Sequence, residues 1–230
     1  MGFVAVLRMK TRADRLAAFK GFLNSMGKVR PLDTLGRLRI IDIGGTVPFW
    51  EDWWKLTDAD RLDVTLINIH ATDVSVRGRT PKYKCITDVN RDATTLTAND
   101  FQHFDVVFSN SFFEHLANLE ARALLAASIL ASGVPFFIQV PNKYSPVDPH
   151  FPFAPPFFAA YPTSIRTRLC TLSSFGSGWR APSLAAARKA AQFYNPLGPR
   201  DMRKLFPGAI IAIERPFFVP MSILAYANAR

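Results

Sequence analysis

Small and polar residues follow several apolar segments that read as buried strands in this sequence. The first segment ends in Asp42, Gly44 and Gly45, and the second ends in Ile69 and His70. Asp92 and Ala93 follow the third segment, and Ser109 and Asn110 end the fourth. Ligands of open parallel sheets bind beyond the carboxyl ends of the strands, so these residues are predicted to converge on one site. Such a set can hydrogen-bond a small polar ligand and let it approach the backbone closely at the glycines.

The turn after the first strand does not continue as a phosphate-binding loop. A dinucleotide fingerprint spaces three glycines as G-x-G-x-x-G, whereas Gly44 and Gly45 are followed by Thr46, Val47 and Pro48. Proline also stands where the phosphate-facing helix of such a fold should begin. The predicted ligand is therefore one that approaches the glycine turn but has no pyrophosphate that must contact the backbone.

Apolar segments that alternate with helical segments position these residues. Strands are predicted at 38–43, 64–69, 83–89, 104–110 and 134–142, with two more in 208–215 and 217–226, and helices at 12–27, 118–132, 183–194 and 198–206. The strands lack period-two alternation, which predicts a mainly parallel sheet covered on both faces. Residues 143–162 hold six prolines and six aromatic residues, which predicts an ordered loop or lid.

Composition and charge restrict the class of protein. With 230 residues, 49% of them hydrophobic, the chain is long enough for one large domain with a buried core. Cys85 and Cys170 have neither metal-ligand spacing nor a disulfide framework, which fits a reducing cytoplasm, and no secretory signal or spanning segment is expected. The net charge of +10 is concentrated in residues 1–40 and 162–204. These flanks predict either solvated basic helices or contact with an anionic partner.

Three stretches together resemble the class I S-adenosylmethionine-dependent methyltransferases: "IIDIGG" at the first strand, "RDATTL" after the third and "FDVVFSNSFFEHL" around the fourth. The resemblance implies an α/β, Rossmann-like doubly wound fold. Its mostly parallel seven-stranded sheet would have an antiparallel C-terminal strand and an inserted proline- and aromatic-rich lid. The single domain, 1–230, would comprise an N-terminal helical segment (1–37), a cofactor-binding core (38–142), a lid and substrate insertion (143–197) and C-terminal strands (198–230).

The resemblance also implies which residues would bind S-adenosylmethionine. They are Asp42, Gly44, Gly45 and Thr46 at its amino-acid end, Ile69 and His70 at the ribose, Asp92 and Ala93 at the adenine, and Ser109 and Asn110 near the methionine ammonium. His70 departs from the family pattern, in which an acid accepts from both ribose hydroxyls, because a neutral imidazole accepts only one such bond. Asn68 and Asp73 are the alternatives there, and Asp88 is the alternative to Asp92.

Methyl transfer requires alignment of the nucleophile, the methyl group and the sulfur more than acid–base chemistry. A hydroxyl acceptor would still benefit from a base that titrates near neutral pH, and His115 and His150 are the candidates. Trp50 or Phe112 could stabilise the sulfonium by a cation–π contact. No cluster of His, Asp and Glu has ligand spacing, so no metal is predicted.

The predicted function is S-adenosylmethionine-dependent methyl transfer to a small-molecule acceptor. Aromatic residues of the lid would meet an apolar part of the acceptor, and Arg166, Arg168 and Arg180 would meet an anionic part. One alternative is a non-catalytic, basic module that binds a membrane surface or nucleic acid, although no RNA-binding motif is visible and the aromatic residues lie apart from the basic ones. The other is an NAD-dependent oxidoreductase, which the missing glycines disfavour.

Overall fold

Seven strands and six helices make up the part of the chain that the structure, a computed structural model, describes: residues 3–26, 36–57, 60–69, 80–148, 151, 154–172 and 183–228. Strands β1 to β7 span Leu38–Ile43, Leu62–Asn68, Ile86–Asn90, Val106–Asn110, Phe136–Pro141, Ile210–Glu214 and Ser222–Ala227. Helices α1 to α6 span Phe3–Met26, Ala98–Phe101, Leu119–Ser132, Thr163–Leu172, Leu184–Phe193 and Pro199–Leu205.

The strands form one sheet in the order β3-β2-β1-β4-β5-β7-β6. Strands β1 to β5 pair in parallel, and β7 runs antiparallel to both β5 and β6. The chain moves outward from β1 to β3 and then returns to β4, so the carboxyl ends of β1 and β4 form the point where the strand order reverses. The predicted fold class is therefore confirmed, including the antiparallel C-terminal strand.

Both faces of the sheet are buried, which explains why its strands show no polar alternation. On one face, Ile41 and Val107 belong to a core that includes residues of α3 and α6. On the other face, Ile40 and Phe108 pack with residues of α1. The ring of Phe19 on α1 lies 4.4 Å, centroid to centroid, from that of Phe108. Aromatic packing therefore docks α1 across the middle of the sheet.

Several elements differ from the sequence prediction. Helix α1 begins at Phe3 rather than near residue 12, and strand β3 begins at Ile86 rather than at residue 83. Helix α4, directly after Pro162, was not predicted. The last strand begins only at Ser222, because Phe217 and Phe218 have φ angles of +49° and +66°, which a strand cannot contain.

The proline-rich segment 143–162 holds a single described turn of 3-10 helix, Phe158–Ala160. Its aromatic residues pack on one another: the rings of Phe151 and Phe158 are 4.9 Å apart, and Tyr161 lies 6.3 Å from Phe158. The segment is thus an ordered loop over its described residues.

Among the residues that the structure describes, none of the helices combines the length and apolarity needed to cross a bilayer.

Candidate functional site

A cavity of about 590 Å³ lies at the carboxyl edge of the sheet. It is at the point where the connections that follow β1 and β4 lead in opposite directions along the sheet. Five of the residues predicted for a ligand site line it: Asp42, Gly44, Gly45, Thr46 and Asn110. Helix α1 contributes a further wall, with Arg8, Thr11, Arg12 and Arg15. The strand ends of the sheet and the N-terminal helix therefore enclose one site between them.

The two glycines of the turn are packed against other side chains. Gly44 has a φ of +77°, and a Cβ placed on it would lie 2.2 Å from the ring of Phe112. A Cβ on Gly45 would lie 2.0 Å from Oδ2 of Asp42. The backbone of this turn can lie directly against an aromatic ring and a carboxylate only because both residues lack side chains.

Asp42 is a buried carboxyl group that also lines the cavity. Its Oδ2 accepts a hydrogen bond of 2.8 Å from Nε1 of Trp50, whereas its Oδ1 has no hydrogen-bond partner among the described residues. Burial raises the pKa of Asp42 to about 7, against the opposing effect of the Trp50 bond. A carboxylate with an unsatisfied oxygen at a cavity wall is suited to a cationic ligand group.

Arg15 joins α1 to three strands through a buried network. It donates to Oε2 of Glu214 from both Nε and Nη2, at 3.2 and 3.0 Å. It also donates to Oδ1 of Asn110 at 2.6 Å and to Oγ of Ser222 at 3.0 Å. The side-chain oxygen of Asn110, which the resemblance placed near a ligand ammonium, is therefore bonded to this arginine.

Sequence reasoning missed the three arginines of α1. Arg8, Arg12 and Arg15 recur at spacings of four and three residues, which places them on one helical face, and this spacing was visible in the sequence. The guanidinium of Arg12 lies 4.5 Å from the ring centroid of Trp53. Desolvation and the neighbouring Arg8 and Arg15 lower the pKa of Arg12. The basic wall of the cavity thus comes from α1.

At the end of β2, the described polar side chain is Asn68. Its amide nitrogen donates to the carbonyl oxygen of Gly45, which ties the second strand to the glycine turn. Ile69 is exposed beside it. His70 and its alternative Asp73 lie outside the described residues.

After β3, Asp92 caps the short turn Ala93–Thr95. Its Oδ1 accepts from the backbone nitrogen and the hydroxyl of Thr94, at 2.9 and 2.8 Å. Ala93 is buried in the core. The alternative, Asp88, lies within β3 rather than after it. Asp92 therefore stabilises the local turn through its hydrogen bonds to Thr94.

At the end of β4, two serines differ in position. Ser109 is buried, and its hydroxyl donates to the carbonyl oxygen of Ile43 at 2.9 Å, so its side chain links β4 to β1. Ser111 lines the cavity with a φ of +57°, and its hydroxyl is 3.0 Å from Oε1 of Gln139. Among these serines, the structure places Ser111 rather than Ser109 at the cavity.

His115 lies beside the cavity-forming segment without lining the cavity. Its Nε2 is 3.8 Å from Oε1 of Glu114, and its ring centroid is 6.3 Å from that of Tyr194. Glu114 is buried, and burial raises the pKa of its carboxyl to about 8. His150 lies outside the described residues.

The described part of the lid, with Arg166 and Arg168, lies away from the main cavity, contrary to the sequence prediction. No described residue of 143–182 lines the 590 Å³ cavity. The ring centroid of Tyr194 is 6.1 Å from that of Phe151 and 6.3 Å from that of His115. Arg166 is buried and donates to the carbonyl oxygen of Tyr194 at 2.9 Å. Arg180 lies outside the described residues.

Solved structures share this arrangement of the sheet. The chain matches a methyltransferase from Archaeoglobus fulgidus, described as S-adenosylmethionine-dependent, with a TM-score of 0.50 and 13% identity over 94% of each chain. It matches the CurJ carbon methyltransferase with a TM-score of 0.53 and 10% identity, covering 93% of this chain. The protein has the class I methyltransferase fold.

The match to this methyltransferase fold is one of structure, since no family model and no curated protein sequence matches the chain. A phosphoethanolamine N-methyltransferase of Haemonchus contortus, solved with S-adenosylmethionine, also matches, at 11% identity over 84% of this chain and with a TM-score of 0.49. The chain spans 54% of the length of the CurJ protein and 49% of that of the Haemonchus enzyme.

Proposed function

We propose that the protein transfers a methyl group from S-adenosylmethionine to a small-molecule acceptor that carries an anionic group. The observation that carries the proposal is the unsatisfied, buried carboxyl oxygen of Asp42 beneath a glycine turn at the strand-order reversal. Class I methyltransferases bind their cofactor at this edge of the sheet.

The described residues fit the cofactor group by group. Asp42 would receive the positive charge of the methionine portion, and Gly44 and Gly45 would let that portion approach the backbone. Asn68 would accept from a ribose hydroxyl through its side-chain oxygen, since its nitrogen is bonded to Gly45. Asp92 and the backbone amide of Ala93 remain the proposed adenine contacts, and Ser109 is proposed only as a support for the strand end.

The bound cofactor would supply an activated methyl group on a sulfonium sulfur. The chain would orient the acceptor and exclude water, since a transfer of this kind depends on alignment. Arg8 and Arg12, which line the same cavity as the glycine turn, would bind the anionic group of the acceptor. Stacking on Trp53 would hold the Arg12 guanidinium in place for this contact. His115 and His150 remain proposed bases for a hydroxyl acceptor.

Titration calorimetry with S-adenosylhomocysteine, NAD and a short RNA tests the proposal against its alternatives. We expect saturable binding of S-adenosylhomocysteine with a stoichiometry of one and no saturable binding of NAD. Binding of RNA without S-adenosylhomocysteine would favour the non-catalytic module instead. Binding of NAD alone would favour the oxidoreductase.

The Gly45→Ala variant tests whether the turn is the binding site. Its Cβ would displace the Asp42 carboxylate that lies 2.0 Å away, so we expect the affinity for S-adenosylhomocysteine to fall by tenfold or more. Gly21→Ala is the matched control, because a Cβ there meets no atom within 4 Å. If both variants bind as the wild type does, the assigned pocket is wrong. Circular dichroism would verify that each variant is folded.

The Asp92→Ala variant separates the two roles of that residue. Loss of the hydrogen bond that the adenine amine would donate to this carboxylate should weaken binding by about 10- to 100-fold. Asp92→Ser can retain the cap of the turn while removing the carboxylate. If the serine variant binds as tightly as the wild type, Asp92 acts on the turn alone, and the adenine contact moves to Asp88.

A further inference from the structure

A second cavity, of about 460 Å³, lies between the start of α3, the lid and the start of α4. It shares no lining residue with the larger cavity described above. Its walls come from residues 117–119, from the lid at 159–163, and from Asn195 and Pro196. It is therefore a separate concavity, formed largely by the segment that follows β5.

Three basic side chains line this second cavity: Arg122 of α3, Lys143 two residues after β5 and Arg166 of α4. No aspartate or glutamate stands among the described residues of its walls. Three positive charges that converge on one concavity repel one another unless an anion lies between them. The composition of the walls therefore indicates an anionic ligand.

The two arginines are buried, and no carboxylate of the described residues is hydrogen-bonded to either of them. Arg122 donates to the backbone oxygens of Glu114 and Leu116, at 3.4 and 3.2 Å, and Arg166 donates to the backbone oxygen of Tyr194 and the hydroxyl of Thr163. The Nε atoms of both arginines have no hydrogen-bond partner among the described residues. Burial lowers the pKa of both guanidinium groups.

The acids nearest to these arginines do not neutralise them fully. Glu114 interacts electrostatically with Arg122, but the pKa of its buried carboxyl is raised to about 8, so it is largely protonated at pH 7. Asp148 interacts electrostatically with Arg166 and Tyr194, and Asp201 interacts with Arg122. At most two ionised acids therefore face the three basic side chains. Lys143 has no ion-pair partner within the described ranges. Net positive charge therefore remains around the cavity.

Two helices begin at the same cavity. Helix α3 starts at Leu119, after its N-cap residue Asn118, and helix α4 starts at Thr163. All three of these residues line the cavity. Helix N-termini carry partial positive charge and unpaired backbone N–H groups, which bind oxyanions. Guanidinium groups add planar, forked donors that match phosphate oxygens. These groups together suit a doubly charged oxyanion better than a monovalent one.

We propose that the cavity lined by Arg122, Lys143 and Arg166 binds a phosphate group, either free or as part of a small organic phosphate. The site is independent of the proposed methyl-transfer function, because the two cavities have no residue in common. The larger cavity also has arginines, so the experiment has to distinguish the two places.

The experiment is a calorimetric titration of the protein with inorganic phosphate, with ionic strength held constant by chloride. We expect one saturable site in the wild-type protein. In Lys143→Gln, which removes a partly exposed charge, we expect an affinity at least tenfold lower. Lys189→Gln is the matched control, because Lys189 is exposed on α5 and lines neither cavity. Arg166→Met, if it folds, should abolish binding.

The Arg12→Gln variant locates the phosphate, because Arg12 lines only the larger of the two cavities. Unchanged phosphate affinity supports the second cavity, whereas loss of binding would place the phosphate among the arginines of α1 and overturn the proposal. Equal affinities of Lys143→Gln and Lys189→Gln, or no saturable binding to the wild type, would also overturn it. Phenyl phosphate then identifies the source: tighter binding than inorganic phosphate indicates an organic phosphate, and exclusion indicates the free ion. Failure of S-adenosylhomocysteine to bind would count against the methyltransferase proposal alone.

Discussion

The Asp42→Asn variant should lose affinity for S-adenosylhomocysteine and should gain stability relative to the wild-type protein as the pH rises from 5 to 8. Both effects follow from one buried carboxyl group whose pKa is raised to about 7. The ionised form attracts the cationic end of the cofactor, so its removal should weaken binding by about 10- to 100-fold. Burial of the same ionised form in the apolar interior destabilises the folded protein, because the carboxylate loses its hydration.

The direction of the stability effect follows from proton binding. Between the unfolded pKa near 4 and the folded pKa near 7, the folded protein keeps the Asp42 proton and the unfolded chain has released it. The stability of the wild-type protein therefore falls as pH rises through this window, and asparagine does not titrate. From pH 5 to pH 8 the difference grows by about 2–3 kcal/mol in favour of the variant, and it levels off above pH 8.

Urea denaturation of both proteins at pH 5, 6, 7 and 8 measures the difference. Glu114, which titrates near pH 8, is common to both proteins and cancels in the comparison. Asp63→Asn is the control, because this acid is partly exposed and paired with Arg37 at the surface. A stability difference between wild type and Asp42→Asn that does not change with pH would refute the assigned pKa. Wild-type affinity for S-adenosylhomocysteine should in turn decrease below pH 7.

The Arg15→Met variant should lose about 3–5 kcal/mol of stability, since it leaves Glu214 buried and unpaired. It also removes the bonds to Asn110 and Ser222 that hold α1 over the carboxyl edge of the sheet. We therefore expect weaker docking of α1 as well, and a loss of the basic wall of the cavity. Urea denaturation measures the first effect, and proteolysis within α1 measures the second.

A double variant, Arg15→Met with Glu214→Leu, separates the buried charge from the bonds. It should recover most of the lost stability, because two apolar side chains can replace a buried ion pair at little cost. Lys10→Met is the control: its exposed pair with Asp14 on the same helix should contribute at most about 0.5 kcal/mol. If Arg15→Met costs no more than Lys10→Met, the network does not dock the helix.

The sequence alone was sufficient to predict the fold and the edge of the sheet that forms the main cavity. The apolar segments lack alternation because both faces of the sheet are buried, and that pattern is local enough to read along the chain. The glycine pair, Asp42 and Asn110 end their strands, and ends of parallel strands meet at one edge. The prediction of the five residues that line the cavity therefore depended on this topology and not on knowledge of any contact between them.

Only the tertiary structure decided which side chains complete each site. Arg15 meets Glu214 from 199 residues away, and periodicity along a helix reveals a face without revealing what that face covers. The lid was expected over the methyl-transfer site, but its described residues pack with α4 and α5, and several of them line the second cavity. The serine that lines the main cavity is Ser111 rather than Ser109, because a residue in left-handed conformation turns the chain after β4. Contacts between segments distant in sequence depend on packing, which no local pattern encodes.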